Sequence, residues 1–298
     1  MKIKACLVTF ALALSAALTA GAQSLTLTNG EGEKLKRISK IDTLDHSIME
    51  CVYEHMIFDP YYPTTNKYTK NPETNHKILQ IGKKASIYKP YSLYLRDSII
   101  AADYPDGITK NDYYNKLSFP LNKRYGLKGA SYIFKDMTQD RLRYCGGICM
   151  DVYIYEEDIP AIDWTPAEGE ASICGYRCKT ATASFRGREW TAWYTEDIPI
   201  SNGPEKFGNL PGLILKIEDE KKEHVIVATQ IRKSNRGFGF KKKSSAFRTD
   251  RKTYNKMEAS LYNDPGNHID SHPLTPKDSE GKSIINHDRM FFNPIEKE

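Results

Sequence analysis

The stretch Glu189-Trp190-Thr191-Ala192-Trp193-Tyr194-Thr195, followed by Gly203-Pro204, Pro211-Gly212 and Leu213-Ile214-Leu215-Lys216-Ile217, decides the fold. Successive side chains of a strand point to opposite faces, so Trp190, Ala192 and Tyr194 share one face and Thr191, Trp193 and Thr195 the other. Gly203-Pro204 and Pro211-Gly212 are turn dipeptides. The second suits a type II turn, in which proline fixes φ at one central position and glycine accepts positive φ at the next. Leu213 to Ile217 is apolar on both faces at its start and is expected to be covered there. Upstream, Ser172 to Phe185 reads as a strand joined to Glu189–Thr195 by the tight connection Arg186-Gly187-Arg188; downstream, His224 to Ile231 reads as another. Strands in sequence order with short connections make a meander.

Further out, Glu50 to Phe58 mixes polar residues with strong strand formers and stops at Asp59-Pro60, while Lys77–Ile81 and Ser86–Leu95 flank Gly82 as a second pair of strands. Met150, Val152 and Ile154 alternate with Asp151, Tyr153 and Tyr155. Residues 101–143 are less regular and read as an insertion or cap over the sheet. Asp250 is placed to cap a helix carrying Tyr254, Met257 and Leu261 at helical spacing, and Asn263-Asp264-Pro265-Gly266 stops it. The expected fold is mainly β (α+β): a curved antiparallel meander or half-barrel with a C-terminal helix and an irregular insertion. It forms one domain over residues 23–265, followed by a polar C-terminal tail at 266–298.

The 298 residues, 40% hydrophobic and 27% charged with a formal net charge of +5, have the balance of a globular chain; collagen, coiled-coil and multi-span membrane classes are excluded, and nothing in the charge calls for nucleic acid. The 19 Tyr, 11 Phe and 3 Trp favour half-buried strands. Lys2 and Lys4 precede an apolar run from Ala5 to Ala20, and Ala20-Gly21-Ala22 has the small residues of a cleavage site. Residues 1–22 are therefore expected to be a signal peptide, with no transmembrane anchor, and the mature chain to lie in the periplasm or cell envelope.

In that compartment Cys145, Cys149, Cys174 and Cys178 are disulfide candidates. One antiparallel register would set Cys145 opposite Cys178 and Cys149 opposite Cys174; buried unpaired thiols are the other reading. Zinc is disfavoured, because the spacing is Cys-x3-Cys.

Three runs carry a resemblance: Cys174-Gly-Tyr-Arg-Cys-Lys-Thr-Ala, then Phe185-Arg-Gly-Arg-Glu-Trp-Thr-Ala-Trp-Tyr-Thr-Glu-Asp-Ile-Pro-Ile, then Gly203-Pro-Glu-Lys-Phe-Gly-Asn-Leu-Pro-Gly-Leu-Ile-Leu. Over residues 172–219 the chain resembles the GLPGLI family of exported Gram-negative proteins, with weaker similarity at Leu79-Gln-Ile-Gly-Lys83 and Arg251–Pro265. The turn motif is Asn209, Leu210, Pro211 and Gly212. Asn209 replaces the family's first glycine, and Glu205 stands where an aromatic residue is usual. The resemblance implies an envelope β-protein with no assigned reaction, some relatives being associated with outer-membrane receptor systems. The meander and helix are also similar to the half-barrel of LolA-like lipoprotein carriers, an analogy of fold alone.

No nucleophile elbow, metalloprotease helix, P-loop or dinucleotide fingerprint occurs, so neither a catalytic residue nor a cofactor is assigned. His268 and His272 with Asp270 are a weak metal candidate beside the simpler reading of a polar tail, and no metal is expected. Arg186 or Arg188 is expected to pair with Asp197 or Asp219. Lys241–Lys243 with Arg248, Arg251 and Lys252 form a basic cluster, either a solvated loop or a contact for anionic lipid or an acidic partner. The preferred function is a non-enzymatic carrier that holds an apolar ligand or partner segment. Its candidate binding residues are Arg188, Trp190, Trp193, Tyr194, Leu213 and Leu215, with Ile217 nearby. An accessory of an outer-membrane (TonB-dependent type) transporter is second. A hydrolase is third, to be recognised by a Ser or Cys beside a His.

Overall fold

A computed structural model describes residues 34–35, 42–58, 73–126, 131–149, 151–240, 246–264, 280 and 293–297. The strands are β1 (Lys34–Leu35), β2 (Asp42–His46), β3 (Met49–Ile57), β4 (Glu73–Ile81), β5 (Ala85–Pro90), β6 (Ile108–Thr109), β7 (Tyr132–Asp136), β8 (Arg141–Ile148), β9 (Asp151–Asp158), β10 (Thr165–Ile173), β11 (Tyr176–Phe185), β12 (Arg188–Thr195), β13 (Leu213–Asp219), β14 (His224–Lys233), β15 (Gly237–Phe240) and β16 (Phe247–Arg248). The helices are α1 (Tyr91–Asp103), α2 (Lys110–Asp112), a π-helical run (Tyr113–Ser118), α3 (Phe119–Tyr125) and α4 (Arg251–Asn263).

A 12-stranded sheet runs in the order β10-β11-β12-β13-β14-β3-β4-β5-β7-β8-β9-β16, open at both ends. Every pairing in it is antiparallel except the short parallel contact of β16 with β9. The expected mainly-β meander is therefore present, and it is bent. Tyr53 of β3 donates its hydroxyl to the Ile214 carbonyl of β13 at 2.7 Å. One core joins Tyr53, Leu79, Tyr88, Ile133 and Leu142 from one half of the sheet to Trp190, Leu213, Leu215 and Ile217 from the other. The segment between β12 and β13 lies inside this bend, where Ile198, Phe207 and Leu210 are buried in the same core. Lys135 of β7 pins it by donating to the Phe207 carbonyl at 2.6 Å and to Asn202 Oδ1 at 3.2 Å. The trough is thus filled largely by the chain's own turn segment.

Several sequence expectations are corrected. Ser172–Phe185 is not one strand but the second half of a β10–β11 hairpin. Its two-residue loop is Cys174-Gly175, with φ of 51° and 83°, the doubly positive geometry that matches strand twist. The strand expected to reach Leu95 stops at Pro90, and α1 begins. Tyr91, Tyr94 and Leu95 pack there on Val52 and Ile78, which face away from Tyr53 and Leu79. Tyr125, at the end of α3, meets Tyr91 and His76 of β4, so the helical part of residues 101–143 lies on this same face, and the remainder supplies β7 and the start of β8 to the sheet. Pro211-Gly212 does not use positive φ at glycine. Asn209 takes the left-handed conformation, φ 65°, and Gly212 is needed for close approach, since a Cβ there would lie 2.0 Å from the Thr195 carbonyl oxygen.

The cysteine register is also overturned. Cys145 stands opposite Tyr132 and Ile154, Cys178 stands opposite Ala171, and their strands lie far apart in the sheet. None of Cys51, Cys145, Cys149, Cys174 and Cys178 is joined in a disulfide.

α4 forms as expected: Asp250 accepts from the Thr253 amide at 2.9 Å, and Tyr254 and Leu261 are buried. Among the described residues no helix is long and apolar enough to cross a membrane. The leader at 1–22, Lys241–Lys243 and the His268–His272 group lie outside the described residues. The last part of the expected polar tail, Asn293–Lys297, is docked on the domain: Asn293 is buried and Ile295 packs against the main core.

Candidate functional site

Where the turn segment leaves the bend incompletely filled, a cavity of about 150 Å³ remains between β3, β4, β8 and β9, the β12–β13 segment, α4 and the docked C-terminal residues. The strand alternation that sends Cys51 and Tyr53 into the core also sends His55 inward, and the alternation of Leu79 and Ile81 sends Lys77 inward. Glu205 meets them from the turn segment. Its left-handed backbone, φ 50°, turns the carboxylate toward the sheet. Lys77 Nζ lies 2.5 Å from Glu205 Oε1, and both side chains are buried.

His55 Nε2 and His224 Nδ1 are 3.0 Å apart, so one ring donates a single hydrogen to the other. Burial lowers the pKa of His55 to about 3, helped by the Lys77 charge. His224 is likewise held well below its usual value, first by burial and then by His55. Both are neutral imidazoles at pH 7.

Opposite stands Glu258 on α4, whose pKa burial pushes up to about 7. Tyr254, one turn earlier, donates its hydroxyl to Glu258 Oε1 at 3.4 Å. The wall behind is aromatic: Tyr144 and Tyr155 stack at 4.7 Å, and Tyr254 meets Tyr144 edge-on at 5.0 Å. Lys206 closes one side, donating to Tyr155 Oη at 2.9 Å and to Glu157 at 2.6 Å, and pairing with Glu296 at 2.7 Å. Burial also lowers the pKa of Lys135, behind the turn segment, to about 7.

The cleft therefore offers a carboxyl that both donates and accepts protons near neutrality, two neutral imidazoles, an ion pair and tyrosine faces. Such a set can orient a small polar molecule or move a proton to it. Among the described residues no group of three or more His, Cys, Asp or Glu side chains is placed to hold a metal ion. The partner of His55 is His224 and that of His76 is Glu54, so neither contact is the Ser–His or Cys–His pair that would mark a nucleophilic hydrolase.

The residues proposed from sequence are not gathered into one groove. Arg188 is buried in a network, donating to Asp219 and Glu223 at 2.7 Å each, to Asn293 Oδ1 at 2.6 Å and to the Pro294 carbonyl at 2.7 Å. This includes the expected Asp219 pairing. Trp190 and Tyr194 are core residues, and Leu213 and Leu215 are fully buried. Trp193 lies on the other face with the Lys216 ammonium 4.0 Å above its ring. Asn209 accepts from the Ile162 amide at 3.3 Å and Leu210 is buried, so the turn motif is a packing element. His55, Lys77, Glu258 and the tyrosines were missed. The available signal was an ionisable residue in phase with the core-facing positions of a strand.

A mainly-β protein with an open, bent sheet closed over a polar cleft is the class these features define. Over residues 179–216, from β11 to β13, the sequence is similar to the family described as "Protein of unknown function (Porph_ging)". No curated protein matches it. In fold it is similar to PNGF-II, solved in two crystal forms. The P21 form has 15% identity and a TM-score of 0.47, covering 78% of this chain and 38% of that one. The C2 form has 14% identity and a TM-score of 0.48, covering 78% and 37%. The chain thus spans under two fifths of the length of the solved structures it matches.

Proposed function

We propose that this chain is an exported binding protein of the cell envelope whose ligand is a small polar molecule, held in the cleft between the bent sheet and α4. The observation that carries the reading is the cavity itself, walled by Tyr144, Tyr155 and Tyr254 and crossed by the Lys77–Glu205 pair and Glu258. An apolar chain would strand those polar groups without water, which costs several kcal/mol for a charged pair; a polar ligand replaces the lost hydrogen bonds. The leader-like residues 1–22 and the resemblance of residues 172–219 to exported GLPGLI proteins support the location.

Trp190 reports on the site, because its ring lies 4.8 Å from Phe207 and 6.3 Å from His224, both of which line the cavity. Native mass spectrometry of protein purified from its own envelope, followed by Trp fluorescence titration with the species released, is the test. A polar molecule of low mass whose binding Glu258→Leu weakens about tenfold supports the proposal. A bound lipid whose affinity ignores Glu258→Leu refutes it.

A further inference from the structure

Residues 293–297 are held against the domain by side-chain and backbone contacts along an extended stretch. Arg188 Nη2 grips Asn293 Oδ1 at 2.6 Å and the Pro294 carbonyl at 2.7 Å, while Asn293 Nδ2 donates to the Phe58 carbonyl at 2.8 Å. Ile295 inserts against the main core. Glu296 is met by Lys206 at 2.7 Å and Arg251 at 3.3 Å, and the Lys297 amide donates to the Arg186 carbonyl at 2.9 Å. Recognition thus uses two backbone groups, an asparagine amide, an apolar side chain and a carboxylate, in the mixed pattern of extended-segment binding.

The receiving surface is built for close approach. The β11–β12 turn, Arg186-Gly187, has φ of 51° and 74°, and a Cβ on Gly187 would lie 2.9 Å from the Lys297 Cβ. The receiving side chains also keep partners of their own: Arg188 has Asp219 and Glu223, and Lys206 has Glu157 and Tyr155. Departure of the segment would free Arg188 Nη2 but leave both cations paired with carboxylates, which lowers the cost of release.

We propose that the groove between the β11–β12 turn and α4 is a peptide-recognition site for an extended Asn-Pro-Ile-Glu-Lys segment, that residues 293–297 of the same chain are its resident occupant, and that a second copy of that segment can replace them. Because Asn293, Pro294, Ile295 and Glu296 also line the cavity, release opens the cleft. The inference does not rest on what the cleft binds.

The test uses the full chain carrying Asn293→Ala and Glu296→Gln, with a fluorescent synthetic peptide of residues 291–298 as probe. The peptide is expected to bind this variant about tenfold or more tighter than it binds the wild-type chain, whose site is filled, and a peptide with Asn293→Ala is expected to lose that gain. Hydrogen exchange of the Lys297 amide provides the second reading. In the wild-type chain it should exchange about 100-fold faster than the Ile217 amide of β13, and in the variant faster still. A variant with a fast Lys297 amide that does not bind the peptide overturns the recognition site. A wild-type Lys297 amide as slow as that of Ile217 overturns release.

Discussion

The two ends of the bend are filled by neighbouring residues of one segment and behave as opposites. At one end Phe207, whose ring also borders the cavity, meets Trp190 at 4.8 Å in one core with Ile214, Leu215 and Ile217, and the packing on that side is apolar, the dry end of the bend. At the other, Glu205 and Lys206 face Lys77, Tyr155 and Glu157, and the space is polar and incompletely filled. A single turn, left-handed at Glu205, separates the two. The difference teaches that the segment sets the character of the interior as much as the strands do. A meander that reads as a continuous apolar trough becomes a packed core where a phenylalanine enters it and a site where a glutamate does.

The dry end should fail hardest. Trp190→Ala removes a fully buried ring and the Nε1 bond to the Phe185 carbonyl at 3.0 Å, and a loss of about 4 kcal/mol is expected in urea unfolding. If the loss were below about 1 kcal/mol, the dry end would not be a packed core. The wet end should show its ionic nature instead. Lys77→Met leaves Glu205 buried and uncompensated, for a loss of about 3 kcal/mol, while Lys77→Met with Glu205→Leu should recover most of it. A double variant no more stable than the single one would mean that the pair adds nothing to the contrast.

The pH dependence separates the wet end further, because its groups pull in opposite directions. Glu258 is raised from 4.5 to about 7, so the unfolded chain releases its proton first and stability falls as pH rises from 4.5 to 7. His55 is lowered from 6.5 to about 3, so its contribution is present above pH 6.5 and lost as pH falls toward 3. Replacing Glu258 by Gln removes only the first slope. The stability of wild type minus that of Glu258→Gln should therefore decrease by about 2 kcal/mol between pH 4.5 and 7, after allowance for partial solvation. A flat difference in thermal melts across that range would show that Glu258 faces water.

The sequence carried the period-2 alternation of β12 and β13, the Asp250 cap of α4 and the reach of an arginine at the β11–β12 turn to Asp219, because each follows from local chemistry within a few residues. It could not show that the trough is occupied. That outcome depends on the bend bringing β7 against the β12–β13 segment, through Lys135 and Asn202, 67 positions apart in sequence. For the same reason the aromatic strand read as a groove wall: Trp190 and Leu213 look alike in sequence whether a ligand or Phe207 lies against them. His55 and Lys77 were legible only as polar interruptions of inward-facing positions, and without the partner Glu205 they carry no meaning. Glu205 itself stood out as a departure from the usual aromatic, and it is the residue that makes one end of the bend wet.

The smallest expected effect tests whether the turn motif belongs to the dry end as packing or to the wet end as chemistry. Asn209 holds φ 65°, a conformation that costs asparagine little and glycine less, and its Oδ1 accepts one long bond, 3.3 Å, from the Ile162 amide. Asn209→Gly relieves the backbone and gives up that bond, two terms of about 0.5 kcal/mol that oppose each other. The melting temperature should therefore move by no more than about 2 °C in either direction, and ligand binding in the cleft should not change. Gly212→Ala in the same loop cannot be so mild, since its new Cβ meets the Thr195 carbonyl at 2.0 Å and must displace backbone. If Asn209→Gly altered binding while leaving the melt untouched, the motif would act on the cleft, and the division between a dry end that packs and a wet end that binds would have to be redrawn through position 209.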